Sequence, residues 1–151
     1  MIEINTRDFG VIQVEDDTIY EFSNGVYGFE EDTSFVLFEK YFDNVPFLYL
    51  QSTQNLIPCF LVFDPWDIIP NYEPSISKED MAACDVSNID DLILLVIATV
   101  PSSIEDLTLN IKSPIALNPK TKKARQVILQ NPEYTVRYHP FNQDVKEGSS
   151  C

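Results

Sequence analysis

TLNIKSPIALNPKTKKARQVIL, running from Thr108 to Leu129, holds two apolar runs on either side of a basic knot. Leu109 to Leu117 and Gln126 to Leu129 are short, apolar and bounded by turn residues, which is the pattern of strands. Residues 118–125 then connect them. Asn118 and Pro119 suit a turn, since Asn tolerates left-handed backbone and Pro cannot continue a ladder. Lys120, Lys122, Lys123 and Arg125 place four of the chain's ten Lys and Arg within six residues. Charges at such a connection are expected to be a solvated turn, where they also discourage edge-to-edge aggregation. An RNA site would interleave bases with exposed aromatics, and none follows here until Tyr134.

The same strand–turn–strand rhythm repeats outward from this stretch. Candidate strands lie at 2–5, 10–15, 18–22, 35–39, 47–51, 59–63, 92–100, 107–111, 114–117, 126–129 and 134–138. Turn signals separate them, among them Ser23-Asn24-Gly25, Asp43-Asn44, Asp64-Pro65 and Asn118-Pro119. Gly25 and Gly28 are candidates for positive φ. Leu92 to Ala98 lacks alternation, so that strand should be central and buried on both faces. One short helix is expected near 77–84, with Ser77 as cap and Asp80 three residues on; another turn suits 102–106. The fold class is mostly β: a single-domain, antiparallel β-barrel-like fold with one or two short helices, a sandwich being the other all-β solution. The domain spans 1–141, and residues 142–151 (NQDVKEGSSC) form a polar tail.

The chain has 151 residues, enough to bury a core without staples. Its net charge is −14, unevenly spread. Residues 1–110 hold 21 of the 24 acids against Arg7, Lys40 and Lys78, a balance of −18; residues 111–151 carry seven bases and three acids, +4. Such a field repels phosphate backbones and anionic membranes and suits a basic protein partner. Cys59, Cys84 and Cys151 form no C-x-x-C pair, and no apolar leader or membrane-length run occurs. A reducing cytoplasm and a monomer when free are the expectations.

Catalytic chemistry finds little support. His139 is the one histidine, so any Ser-His-Asp or Cys-His arrangement would need it. No metal or cofactor is expected: the acidic stretches Glu30-Glu31-Asp32 and Asp64-Pro-Trp-Asp67 lack cation-loop spacing. Paired carboxylates leave a cryptic hydrolase open, and the 120–125 basic turn leaves direct RNA binding as a weaker alternative.

The flanking runs also carry a family pattern. Thr108-Leu-Asn110, Ser113-Pro114-Ile115, Leu117-Asn118 and Gln126-Val-Ile-Leu129 resemble the T-x-N-x-x-x-P-I-x-x-N…Q-V-I-L signature of the flagellar assembly factor FliW family. Ile4-Asn-Thr6 with Phe9-Gly10, Phe22-Ser-Asn-Gly25 with Gly28-Phe29, and Phe35-Val-Leu37 are similar to its opening elements. Pro46 to Ser52, Phe60 to Pro65, Pro70-Asn-Tyr72, Ile97 to Pro101, and Tyr134, Arg137 and His139 follow in order. Tyr49 stands where the family often has Trp, and Tyr27 where Pro is common.

The resemblance implies a small non-enzymatic β-barrel of the cytoplasm. It binds flagellin and, when flagellin is scarce, the translational regulator CsrA, freeing flagellin mRNA from repression. An acidic rim is expected from Glu30, Glu31, Asp32, Asp64, Asp67, Glu79, Asp80, Asp90 and Asp91, which oppose a basic partner. Exposed members of Phe29, Tyr49, Trp66 and Tyr72 would supply apolar anchors, with core packing the simpler role for Phe29 and Tyr49. Asn110, Pro114 and Asn118 read as turn determinants.

Overall fold

The computed structural model describes residues 1–141; the tail expected over 142–151 lies outside the described residues. The alternating segments become β1 (Ile2–Thr6), β2 (Gly10–Val14), β3 (Ile19–Phe22), β4 (Ser34–Phe42), β5 (Val45–Ser52) and β6 (Cys59–Phe63). The helix α1 (Lys78–Ala83) follows, then β7 (Ile93–Thr99), β8 (Thr108–Leu109), β9 (Ile115–Leu117) and β10 (Lys123–Gln126). Strands β6-β5-β4-β3-β10-β9-β7 are neighbours in that order, and β6 pairs with β7, closing a seven-stranded barrel. One seam departs from the antiparallel expectation: β10 runs parallel to β3, with Lys123 opposite Glu21 and Ala124 opposite Phe22. A parallel pair needs a long crossover, and nearly the whole barrel is spent between these two strands.

Closure sorts each strand into an inner and an outer face. Inside, Tyr20, Phe22, Val26, Phe35, Leu50, Val62, Leu95, Ile115, Leu117 and Ala124 form one cluster. Phe22 and Phe35 meet edge-on at 4.9 Å. Each large apolar side chain so buried contributes about 1.5–3 kcal/mol. Outside, β1 and β2 form a hairpin laid over Val36, Phe38 and Tyr49. The connection from β6 to β7 and the C-terminal segment build a second outer layer over Leu94, Val96, Leu109 and Ala116. Leu94, Leu95 and Val96 are therefore all buried, as their unbroken apolar run requires.

The expected helix forms with its expected cap: Ser77 Oγ accepts from the backbone N–H of Asp80 at 3.1 Å. The turn after β7 also forms, as a single 3-10 turn at Ile104–Asp106.

Two segments differ from the sequence reading. The last barrel strand is Lys123–Gln126, not 126–129. Lys123 and Arg125 thus belong to the ladder, with their side chains outward, and only Pro119 to Lys122 make the turn. Arg125 Nε lies 3.0 Å from Asp80 Oδ1, and Lys123 Nζ lies 3.0 Å from Asp85 Oδ2. The basic knot is accordingly not a fully solvated turn; half of it holds α1 and its exit against the barrel. The apolar run Val127–Ile128–Leu129 continues beside 112–114 by single bonds, Val127 N–H to Pro114 O and Leu129 N–H to Lys112 O. The strand expected at 134–138 is reduced to one bridge, Leu109 to Tyr138.

Asn118 ties these parts together. It is buried; its Oδ1 accepts from the N–H of Lys120 at 2.9 Å, and its Nδ2 donates to the Cys84 carbonyl at 2.8 Å. Lys122 adopts φ 63° to complete the turn, and its carbonyl accepts from Glu21 N–H across the parallel seam at 2.7 Å.

Phe22→Ala should cost about 3–5 kcal/mol in urea unfolding, through the cavity left in the barrel interior. Ile128→Ala, half exposed beside β10, should cost under ~0.5 kcal/mol. Equal losses would contradict the assigned strand. Asn118→Ala leaves a buried carbonyl and turn N–H groups unpaired, and should cost about 2–3 kcal/mol. A loss near zero in the same assay would show that the turn stands without it.

Candidate protein-docking surface

The connection from β6 to β7 is built as a rigid platform. Asp64 caps a 3-10 turn, Pro65–Asp67, by accepting from Trp66 N–H at 3.0 Å, and Pro65 occupies the first turn, where no N–H is needed. Trp66 remains 41% exposed, yet its indole N–H donates to the Tyr72 carbonyl at 2.9 Å. Its ring meets Tyr72 edge-on at 5.6 Å, and Tyr72 lies 4.8 Å from the ring of Tyr134. The Tyr72 hydroxyl donates to Ile111 O at 2.7 Å, and burial pushes its pKa strongly up. Trp66 is thus a fixed, half-open aromatic face with Asp64 and Asp67 exposed beside it in the chain.

Tyr72 is not an exposed anchor. At 3% exposure it belongs to the core, because its ring and hydroxyl are both consumed internally. Further along the platform, Glu79 is exposed on α1, while Asp80 faces Arg125 and is largely spent on that pair. Asp90 and Asp91 are exposed on the 3-10 turn Ile89–Asp91, where Asn88 Oδ1 accepts from Asp90 N–H at 2.9 Å.

The other acidic loop joins β3 to β4. Gly25 at φ 64° allows a turn so tight that a Cβ there would lie 2.6 Å from Glu30 Cα. Glu30 closes it by accepting from Gly28 N–H at 2.9 Å, and Glu31 is exposed. Asp32, expected on the rim, is turned inward at 6% exposure. Its Oδ1 accepts from Ser52 Oγ and Asn55 Nδ2, each at 2.7 Å, so it anchors the loop after β5. Phe29 packs edge-on to Phe60 at 5.7 Å, and Tyr49 stacks on Phe38 at 5.6 Å, which makes both chiefly packing residues.

One residue from each acidic group, Asp80 and Glu30, lies beside Arg125 of β10. Arg125 pairs with Asp80 of the platform and also lines, with Glu30, Tyr27 and Gln126, a cleft of about 190 Å³. Sequence reading missed the cations' role, and it missed Tyr41, Phe42 and Val45, exposed at the β4–β5 turn. The signal was present: apolar residues flank Asp43-Asn44 where the strand run outlasts its neighbours.

Among the described residues no group of three or more His, Cys, Asp and Glu side chains could hold a metal ion. Cys59 and Cys84 are buried free thiols, and burial pushes Cys59 up to about 11, leaving negligible thiolate at neutral pH. His139 lines an open groove with Asp106 and Arg137. No helix among the described residues is long and apolar enough to cross a membrane.

Comparison with known proteins fits this arrangement. The family model described as FliW protein matches residues 3–140. The flagellar assembly factor FliW of Thermoanaerobacter pseudethanolicus is 36% identical over 149 residues, covering 99% of each chain. That of Syntrophomonas wolfei is 37% identical, covering 91% of this chain and 86% of the relative. A crystal structure of the flagellar assembly factor FliW superposes with TM-score 0.82 at 30% identity, covering 95% of this chain and 99% of that one. With family signature, length and barrel in agreement, the chain belongs to the FliW family of flagellar assembly factors, which are not enzymes.

Proposed function

We propose that this flagellar assembly factor works in the cytoplasm as a partner switch. It binds flagellin and, when flagellin is scarce, binds CsrA and relieves repression of flagellin mRNA translation. The observation that carries the reading is the separation of charge. Lys123 and Arg125 are consumed by Asp85 and Asp80, while Glu30, Glu31, Asp64, Asp67, Glu79, Asp90 and Asp91 remain exposed. A surface of that sign attracts a basic RNA-binding protein and repels the RNA itself. Trp66, fixed within the acidic platform, is suited to serve as the apolar anchor. The platform and the Glu30–Glu31 turn together form the docking surface.

Affinity purification of this protein from its native cytoplasm should recover flagellin and CsrA; recovery of neither overturns the reading. Replacing Asp64, Asp67, Asp90 and Asp91 with Lys should slow association with CsrA by about tenfold at low salt, and high salt should narrow the gap. A rate indifferent to these changes would place CsrA elsewhere. The protein alone should not bind flagellin leader RNA at physiological salt. Binding that falls on Lys122→Glu and Lys123→Glu would instead identify a nucleic-acid protein.

A further inference from the structure

Strands β4 and β5 outrun the barrel. They pair with each other from Phe35–Ser52 to Phe42–Val45, but β3 accompanies β4 only to Val36, and β6 accompanies β5 only to Leu48. The remainder is a two-stranded arm ending in a tight turn, with Asp43 at φ 51° and Asn44 at φ 65°. Backbone groups alternate between the two edges of a strand. Phe22 N–H donates to Thr33 O, so the odd-numbered residues of this strand face the β3 side. Beyond Leu37, at the end of the β3 ladder, that side is open: Glu39 and Tyr41 present N–H and C=O groups with no backbone partner among the described residues. On the opposite edge, Ser52 N–H donates to Pro58 O, so the even-numbered residues face β6. Leu48 is paired there and Pro46 has no N–H, so proline blunts that edge.

An unprotected edge is a pairing template. We infer that the open β4 edge, Glu39 to Tyr41, is a docking strand for an extended, cationic segment of a partner polypeptide. An unpaired strand edge is matched by another extended backbone, not by a helix. Tyr41, Phe42 and Val45 are exposed around the arm and give apolar side chains of the added strand a surface on either face. The charges beside the edge are acidic: Glu39 on it, Asp43 at its tip, and Asp16 and Asp17 in the turn that leads into β3 beside β4. Lys40 is turned to the other face, with its Nζ 5.4 Å from the Phe9 ring. A second copy is the wrong occupant, because two chains of net charge −14 would meet with Glu39 close to Glu39. The inference rests on the reading that the chain acts through protein partners, and it names the segment that one partner presents.

The test uses the intact protein, a synthetic peptide of alternating Val and Lys, and its Val–Glu twin. In the free protein, the amides of Glu39 and Tyr41 should exchange hydrogen rapidly while those of Phe38 and Lys40 are protected. The Val–Lys peptide should slow these two edge amides by about tenfold or more, and the Val–Glu peptide should not. Glu39→Pro removes an edge-facing N–H without breaking a ladder bond and should abolish the protection. Glu39→Lys, which keeps the backbone, should weaken the Val–Lys peptide and favour its acidic twin. The inference is overturned if neither peptide binds, if both bind alike, if binding leaves those amides fast, or if self-association protects them without peptide. Flagellin and CsrA do not enter this assay, so its failure removes the docking strand and leaves the partner switch to its own purification test.

Discussion

Closure of the barrel depends on the four residues of β10. A closed barrel leaves no strand unpaired on either side, and Lys123–Gln126 bridges β9 on one side and β3 on the other, while β6 and β7 meet at the remaining seam. Its register with β9 is set by the Asn118 turn, and its register with β3 by the Glu21 N–H to Lys122 O bond. Ala124 points inward between Phe22 and Leu117, its cross-strand partners, and is small where they are large. Lys123 and Arg125 point outward to the acids of α1 and its exit. Interior, seam and outer layer are therefore coupled through a strand with one apolar inward residue.

That coupling shapes the electrostatic surface. The basic C-terminal part of the chain does not form a basic face, because its central cations are matched by internal acids. Exposed ion pairs of this kind contribute little to stability, typically below about 1 kcal/mol. Their larger consequence is to neutralise two cations locally, so that the unpaired charge exposed around Trp66 and at Glu31 is mainly acidic. With the barrel interior filled by side chains, recognition falls to the outer surface, as suits an assembly factor with protein partners.

Much of the architecture was legible in the residues. The unbroken run in β7, the Ser77 cap and the turn at Gly25 each follow from a local rule that tertiary contacts did not override. The position of β10 was not legible. Hydrophobic periodicity favours Val127–Ile128–Leu129, whereas the ladder took Lys-Ala-Arg-Gln, in which cations occupy the outward positions because acids from a distant helix await them. Tyr134 to Tyr138 alternates like a strand but finds a single bridge, since β8 is only two residues long. In the candidate surface, exposed acids such as Glu31 and Asp67 were readable as such. Asp32 and Tyr72 were not, because their partners Ser52, Asn55 and Ile111 are remote in sequence.

The sequence by itself determined that the chain is a strand-rich acidic domain with turns at defined residues, and that it carries a family pattern along nearly its whole length. These properties are local or additive: alternation, turn chemistry and net charge need no knowledge of neighbours. Tertiary structure alone decided which strand bridges β3 and β9, which acids face solvent and which are neutralised, and which sheet edge is left open. Each of those outcomes depends on pairing between segments far apart in the chain, and charge or polarity at one position carries no record of its partner.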